Sequence, residues 1–219
     1  MNISRMEIMK DTKEFYMPNT LILTEEQRDI LTESINIGFG RAAASLSILV
    51  GHKIMLEVPK ISVITGPELA KSITGAYKQP ISVQQHFSGG IHGDVILFMD
   101  MDIASIFIDL LSGGSGNFRR LTPSDREALL EVGNILLNAY IGSFGNLMNA
   151  QINIAVPELR TGAIERFFSS IALDDHHVLL VWTKFMIHQG TVAGHVALIL
   201  DANSLESLFT SIQFDGFQS

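Results

Sequence analysis

The sequence predicts an α/β chain made of two pseudo-equivalent halves that share one β-sheet. Three observations predict it. Shifting the chain by 98 residues aligns 37 positions without a gap, and 12 of them are identical, among them Leu23-Thr24 on Leu121-Thr122, Glu33 on Glu131, Asn36 on Asn134 and Val58-Pro59 on Val156-Pro157. A second echo, at a shift of 101, matches Gly93-x-Val-x-Leu-x-x-Asp100 to Gly194-x-Val-x-Leu-x-x-Asp201. In each copy a stripe of helical period runs into a stretch of alternating apolar residues, so the pattern passes from period 3.6 to period 2. Each half alone is too small to cover its own sheet face.

Residues 1–20 form an N-terminal arm that ends at Pro18-Asn19, and the body runs over 21–212, with one repeat over about 23–111 and the other over about 121–212. Thr24 and Gln27 have the spacing of a capping box, which starts the first helix. Leu31, Ile35, Phe39, Ala42, Leu46 and Leu49 step by three or four and mark its buried face. Ile54 to Val58 alternates as a strand, closed by Pro59. Strands are expected at 81–87 and 93–99, with a short helix after Asp100. Ser112-Gly-Gly-Ser-Gly-Asn-Phe-Arg-Arg120 is a turn or linker between the repeats.

The second copy opens with Thr122 as cap and Pro123 in the first helical turn. Its stripe is Leu129, Gly133, Leu137, Tyr140, Phe144 and Leu147, and a strand over Ile152 to Val156 is closed by Pro157. Further strands are expected at 163–171, 177–187 and 191–200, with Trp182 in the core, and a short helix after Asp201.

Composition narrows the function. Of 219 residues 47% are hydrophobic and 17% charged, enough apolar surface for a packed core. The net charge of −8 argues against binding nucleic acid or an anionic lipid surface. There is no cysteine, which removes disulfides, thiol catalysis and cysteine-zinc sites. No apolar run is long enough to span a bilayer, so no membrane insertion is expected. The N-terminus mixes both charge signs and lacks the apolar core of a signal peptide, so the cytoplasm is the expected compartment.

Candidate chemistry lies on the faces opposite the stripes. With Leu31 at zero, Asp29, Glu33 and Asn36 fall at about 160°, 200° and 140° around the helix, and Glu127, Glu131, Asn134 and Asn138 repeat the cluster in the second copy. Charged residues on an outer helix face ordinarily do no more than hold water. Here most outer positions differ between the copies while Glu and Asn persist, and Asn is a poor helix former. The seven histidines lack ligand spacing on a helix, the Gly-rich turn at 112–116 lacks the lysine of a phosphate loop, and no serine sits in a nucleophile elbow.

Asp29-x3-Glu33-x2-Asn36-x22-Pro59 resembles the signature of the CheC, CheX and FliY chemotaxis phosphatases, [Asp/Ser]-x3-Glu-x2-Asn-x22-Pro. Glu127-x3-Glu131-x2-Asn134-x22-Pro157 follows it except at the first position, where Glu stands for Asp or Ser. Two copies per chain are most like CheC. The resemblance implies an internally duplicated CheC-like fold with two motif helices on the surface of a shared sheet. It implies hydrolysis of the aspartyl phosphate of a CheY-type response regulator, with Glu33, Asn36, Glu131 and Asn134 as the catalytic set. Asn36 and Asn134 would orient the attacking water, and Glu33 and Glu131 would meet the regulator's lysine. No cofactor or metal is implied on this chain, because Mg²⁺ belongs to the regulator. The alternative is a non-catalytic module that binds a regulator or a CheD-like deamidase, as the related switch protein FliM is a binder. No further domain is expected after 212, which favours a free-standing enzyme. A small-ligand sensor is a third, unrelated reading.

Overall fold

The computed structural model describes residues 23–112, 121–162, 167–168, 177–187 and 190–215. The described elements follow the order α1 (Glu25–Val50), β1 (Ile54–Thr65), α2 (Gly66–Thr74), β2 (Pro80–Gly89), β3 (Gly93–Asp100), α3 (Met101–Ser112), α4 (Pro123–Leu147), β4 (Ile152–Ile154), β5 (Glu158–Thr161), β6 (His177–Ile187), β7 (Gly190–Leu200) and α5 (Ala202–Asp215). The expected arm over 1–20 and most of the expected linker lie outside the described residues.

Helix starts follow their caps. The Gln27 amide N–H donates to Thr24 Oγ1 at 3.1 Å, and the Thr24 N–H donates to Gln27 Oε1 at 3.0 Å. Thr122 and Asp125 repeat that exchange at the start of α4. Gly51, at φ 70°, ends α1 in the left-handed conformation that glycine adopts at little cost. The expected stripes are buried in both helices except at their ends: Leu49 is exposed, with Val50 buried in its place, and Leu147 is half-buried. The two aspartates of the second echo work at helix starts. Asp100 Oδ1 accepts from the Met101 N–H, and Asp201 Oδ1 accepts from the Ser204 N–H.

The sheet is antiparallel throughout, in the order β1-β6-β7-β3-β2-β4. β5 continues the outer edge beyond β4, pairing with Ile81–Gln84 while β4 pairs with Phe87–Gly89. Matching α1-β1-β2-β3-α3 with α4-β4/β5-β6-β7-α5 makes this order the same from either end. The first strand of each half pairs with the second strand of the other.

Three expectations are corrected. Pro59 does not close β1, which runs on to Thr65; the ladder to β6 instead breaks between Glu57 and Lys60. Proline brings no N–H to a ladder, so the strand bulges and resumes. Pro157 lies in the matching gap between β4 and β5. Of the strand expected at 163–171, Phe167 and Phe168 lie in a turn and the other residues lie outside the described residues; β5, which was not expected, precedes them at Glu158–Thr161. Trp182 is 42% exposed rather than core. It alternates with Val181 and Thr183, which are buried, and stands edge-on to His195 with ring centroids 4.2 Å apart. Helix α2 was not expected; the Glu68 carboxylate accepts from both the N–H and the hydroxyl of Thr65 and starts it.

α1, α3, α4 and α5 cover one sheet face, where Leu31, Phe39, Val83, Phe107, Tyr140, Phe185 and Leu198 pack in one cluster. α2 covers part of the other with Ile64, Leu69, Phe98, Phe167 and Leu180. Both clusters draw on residues from both sides of the 113–120 segment, so the halves share their cores.

Candidate active site

α1 and α4 lie against each other in antiparallel sense. Ser34 Oγ donates to the Ser143 carbonyl at 3.2 Å, and a Cβ on Gly38 would stand 2.1 Å from Ser143 Oγ and 2.7 Å from the Ala139 oxygen. Only glycine permits so close an approach at that point. On α1, Ser34 and Gly38 fall at about 300° and 340°, so Asn36 at about 140° faces away from the seam. The same holds on α4 for Asn134 against Ala139 and Ser143. The asparagines therefore flank the helix pair on opposite sides.

On α1, Asp29, Glu33 and Asn36 are exposed, as expected, and the side chains of Glu33 and Asn36 make no hydrogen bond with described residues. On α4, Glu127, Glu131 and Asn138 are exposed. Asn134 departs from expectation: it is half-buried rather than largely exposed. Gln85 of β2 rises against it from the sheet, and the segment 152–157 forms the opposite wall of a shallow open groove of about 650 Å³. Pro157 lines that groove together with Asn134, Asn138 and Gln85. The 22-residue spacing is thus the length of chain that finishes α4, turns through β4 and returns to the side of the motif.

Hydrogen bonds fix this corner. Gln85 Nε2 donates to the Ala155 carbonyl at 3.0 Å and to Asn134 Oδ1 at 3.1 Å. Asn138 Nδ2 donates to the same Oδ1 at 3.0 Å. Gln85 Oε1 is buried without a partner among the described residues. Sequence reasoning placed Gln85 on a strand and went no further. The missed signal was a glutamine in the row Ile81, Val83, Gln85, Phe87, whose other members are buried apolar side chains.

Among the described residues no three His, Asp or Glu side chains gather in a way that could hold a metal ion. No described helix is long and apolar enough to cross a membrane.

No family model matches the chain. It is 29% identical to the CheY-P phosphatase CheC of Bacillus subtilis over 199 residues, which is 87% of this chain and 95% of that protein. It is 28% identical over 148 residues to the flagellar motor switch phosphatase FliY of Bacillus subtilis, covering 65% of this chain and 38% of that longer protein. The crystal structure of Thermotoga maritima FliY superposes with a TM-score of 0.72 at 20% identity, covering 88% of this chain and 98% of that one. The chain is similar to the CheC/CheX/FliY family, and most like CheC. The CheC-like motif has a place in the fold in both copies: its Glu and Asn lie one turn apart on a surface helix, and its Pro lies at a break in the sheet edge.

Proposed function

We propose that this protein is a phosphatase of CheY-type response regulators that hydrolyses their aspartyl phosphate by orienting the attacking water. One observation carries the reading: a Glu and an Asn one turn apart on the open face of α4, with the Asn carboxamide at the lip of a groove and its Nδ2 without a partner among the described residues, and the same pair again on α1. The sequence likeness to CheC supports the same reaction class.

An acyl phosphate is already activated, and its transition state is loose, so a helper contributes mostly by placing a water in line with phosphorus. A carboxamide suits that task because it can hold a water by hydrogen bonding without needing to be a strong base. Asn36 and Asn134 take this role. Glu33 and Glu131, one turn away, pair with a lysine of the regulator and set the angle of approach. Mg²⁺ resides on the regulator, and this chain contributes no metal ligand. The cytoplasm, where such a substrate would be met, is the proposed compartment.

We further propose that the chain is an internal duplication, one domain over 21–212 with repeats near 23–111 and 121–212. The strand order that is the same from both ends supports it, as does the placing of Pro59 and Pro157 at equivalent breaks.

The decisive experiment follows the loss of phosphate from a panel of phosphorylated regulators with wild type, Asn36→Ala, Asn134→Ala and the double variant. Each single change should lower the rate, and the pair should lose roughly 10- to 100-fold with the fold intact. Full activity in the double variant would refute the mechanism and leave a docking surface.

A further inference from the structure

We infer that Gln85 is a positioning residue that locks Asn134 with its N–H₂ group turned into the groove, so that the two motifs are chemically unequal. The inference rests on the phosphatase reading and adds to it a residue outside the motif.

The orientation follows from a fixed point. The Ala155 carbonyl can only accept, so the end of Gln85 facing it at 3.0 Å must be Nε2. That same nitrogen stands 3.1 Å from Asn134, and its second proton needs an acceptor, so Asn134 must present Oδ1. Asn138 supplies a second donor to that oxygen at 3.0 Å. Both lone pairs of Oδ1 are then occupied, and only the Nδ2 protons remain for a ligand. A flipped Asn134 would bring two N–H₂ groups face to face. The α4 site, site two, is therefore donor-only: it can hold a water or a phosphoryl oxygen by donating a hydrogen bond to it, and cannot accept one.

Site one lacks this lock. β4 and β5 flank Gln85 in the way β1 flanks Thr183: Phe87 faces Ile154 and Gln84 faces Glu158 in one pairing, while Phe185 faces Leu56 and Trp182 faces Lys60 in the other. Thr183 thus stands where Gln85 does. It is buried, its Oγ1 has no partner among the described residues, and it makes no bond to Asn36. Gly40, which has no side chain to give, stands in place of Asn138 at the 98-residue shift. Asn36 is free to turn and can both donate and accept. Site two begins with its amide ordered, while site one must order it on each encounter.

The test uses the full chain in an Asn36→Ala background, which leaves site two alone. Adding Gln85→Met should lower kcat roughly tenfold with KM little changed, since the amide loses its aim but the docking face does not. Adding Gln85→Met to Asn36→Ala/Asn134→Ala should cost nothing more, because Gln85 acts through Asn134. Gln85→Leu also removes the donor, so it should lose as much as Gln85→Met; it serves if the methionine variant does not fold. Unchanged kcat in either folded variant, or a further loss in the triple variant, overturns the inference. A readout independent of activity separates it from the function itself. The side-chain amide resonance of Asn134, assigned by its disappearance in Asn134→Ala, should move on Gln85→Met while that of Asn36 stays. If Asn36→Ala/Asn134→Ala keeps full activity, the phosphatase mechanism fails, and this spectrum still decides whether Gln85 holds Asn134. An unmoved Asn134 resonance overturns it.

Discussion

A carboxylate that pairs with a partner's lysine and an amide that holds a water do separable work, and kinetics can separate them. Removing the amide should cut turnover and leave binding largely intact. Removing the charge should weaken binding as well, because the partner's lysine is then left unpaired at a desolvated contact. Titrating wild type, Glu33→Gln/Glu131→Gln and Asn36→Ala/Asn134→Ala proteins against a regulator carrying a stable phosphate mimic checks this. Loss of binding on the Asn changes alone would reverse the assigned roles. A second residue-scale effect lies on the far face of the sheet. His195 is buried beneath Trp182 with its Nδ1 against the Tyr77 hydroxyl. Burial lowers its pKa from 6.5 to about 4. Between those values the unfolded chain binds a proton that the folded chain refuses, so this contribution is whole above about 6.5 and is lost as pH falls towards 4. Urea melts should show about 2 kcal/mol lost from this group between pH 7 and 5, and His195→Gln should flatten that slope.

At the scale of elements, the helix seam fixes where the motifs face. Gly38 lets α1 settle against Ser143 and Ala139, and that seam turns Asn36 and Asn134 outward to opposite flanks. Gly38→Val should force the helices apart and cost about 1–3 kcal/mol in urea melts. Gly40 has nothing within 4 Å of a would-be Cβ, so Gly40→Ala should instead gain up to about 1 kcal/mol. A loss of similar size at both positions would mean that the close approach is not what matters. The capping boxes at Thr24 and Thr122 set the other end of the same geometry, since they fix the helix start from which Glu and Asn are counted.

For the whole molecule, the strand exchange makes each half depend on the other. β1 lies beside β6, and β4 and β5 lie beside β2. A fragment over 121–212 would lose the strand its edge pieces pair with and would expose the face of α4 that Gly38 covers. Burial of each large apolar side chain contributes about 1.5–3 kcal/mol, and the main cluster takes such residues from both halves. Fragments 23–111 and 121–212 should each show little ordered structure by circular dichroism alone and gain it when mixed. Cooperative melting of either fragment by itself would contradict the shared core.

The sequence alone determined the local features. Caps, stripes and alternation depend on neighbours within a few residues, so α1, α4, β2, β3, β6 and β7 were legible, as were the exposed Glu33, Asn36 and Glu131 on the outer faces of their helices. The match at a shift of 98 residues also reached beyond neighbours, because it placed a Glu and an Asn at the same spacing on two helices far apart in the chain. Tertiary structure decided what depends on distant partners. Pro59 interrupts β1 without ending it because β6 resumes the ladder beyond the bulge. Trp182 is exposed because its side of the sheet is only partly covered by α2. Asn134 is half-buried and aimed because Gln85 arrives from a strand 49 residues away and Ala155 from a loop beyond the helix. Periodicity tells which way a side chain leaves its own helix, whereas the hydrogen bonds that orient its amide come from chain segments that only folding brings together.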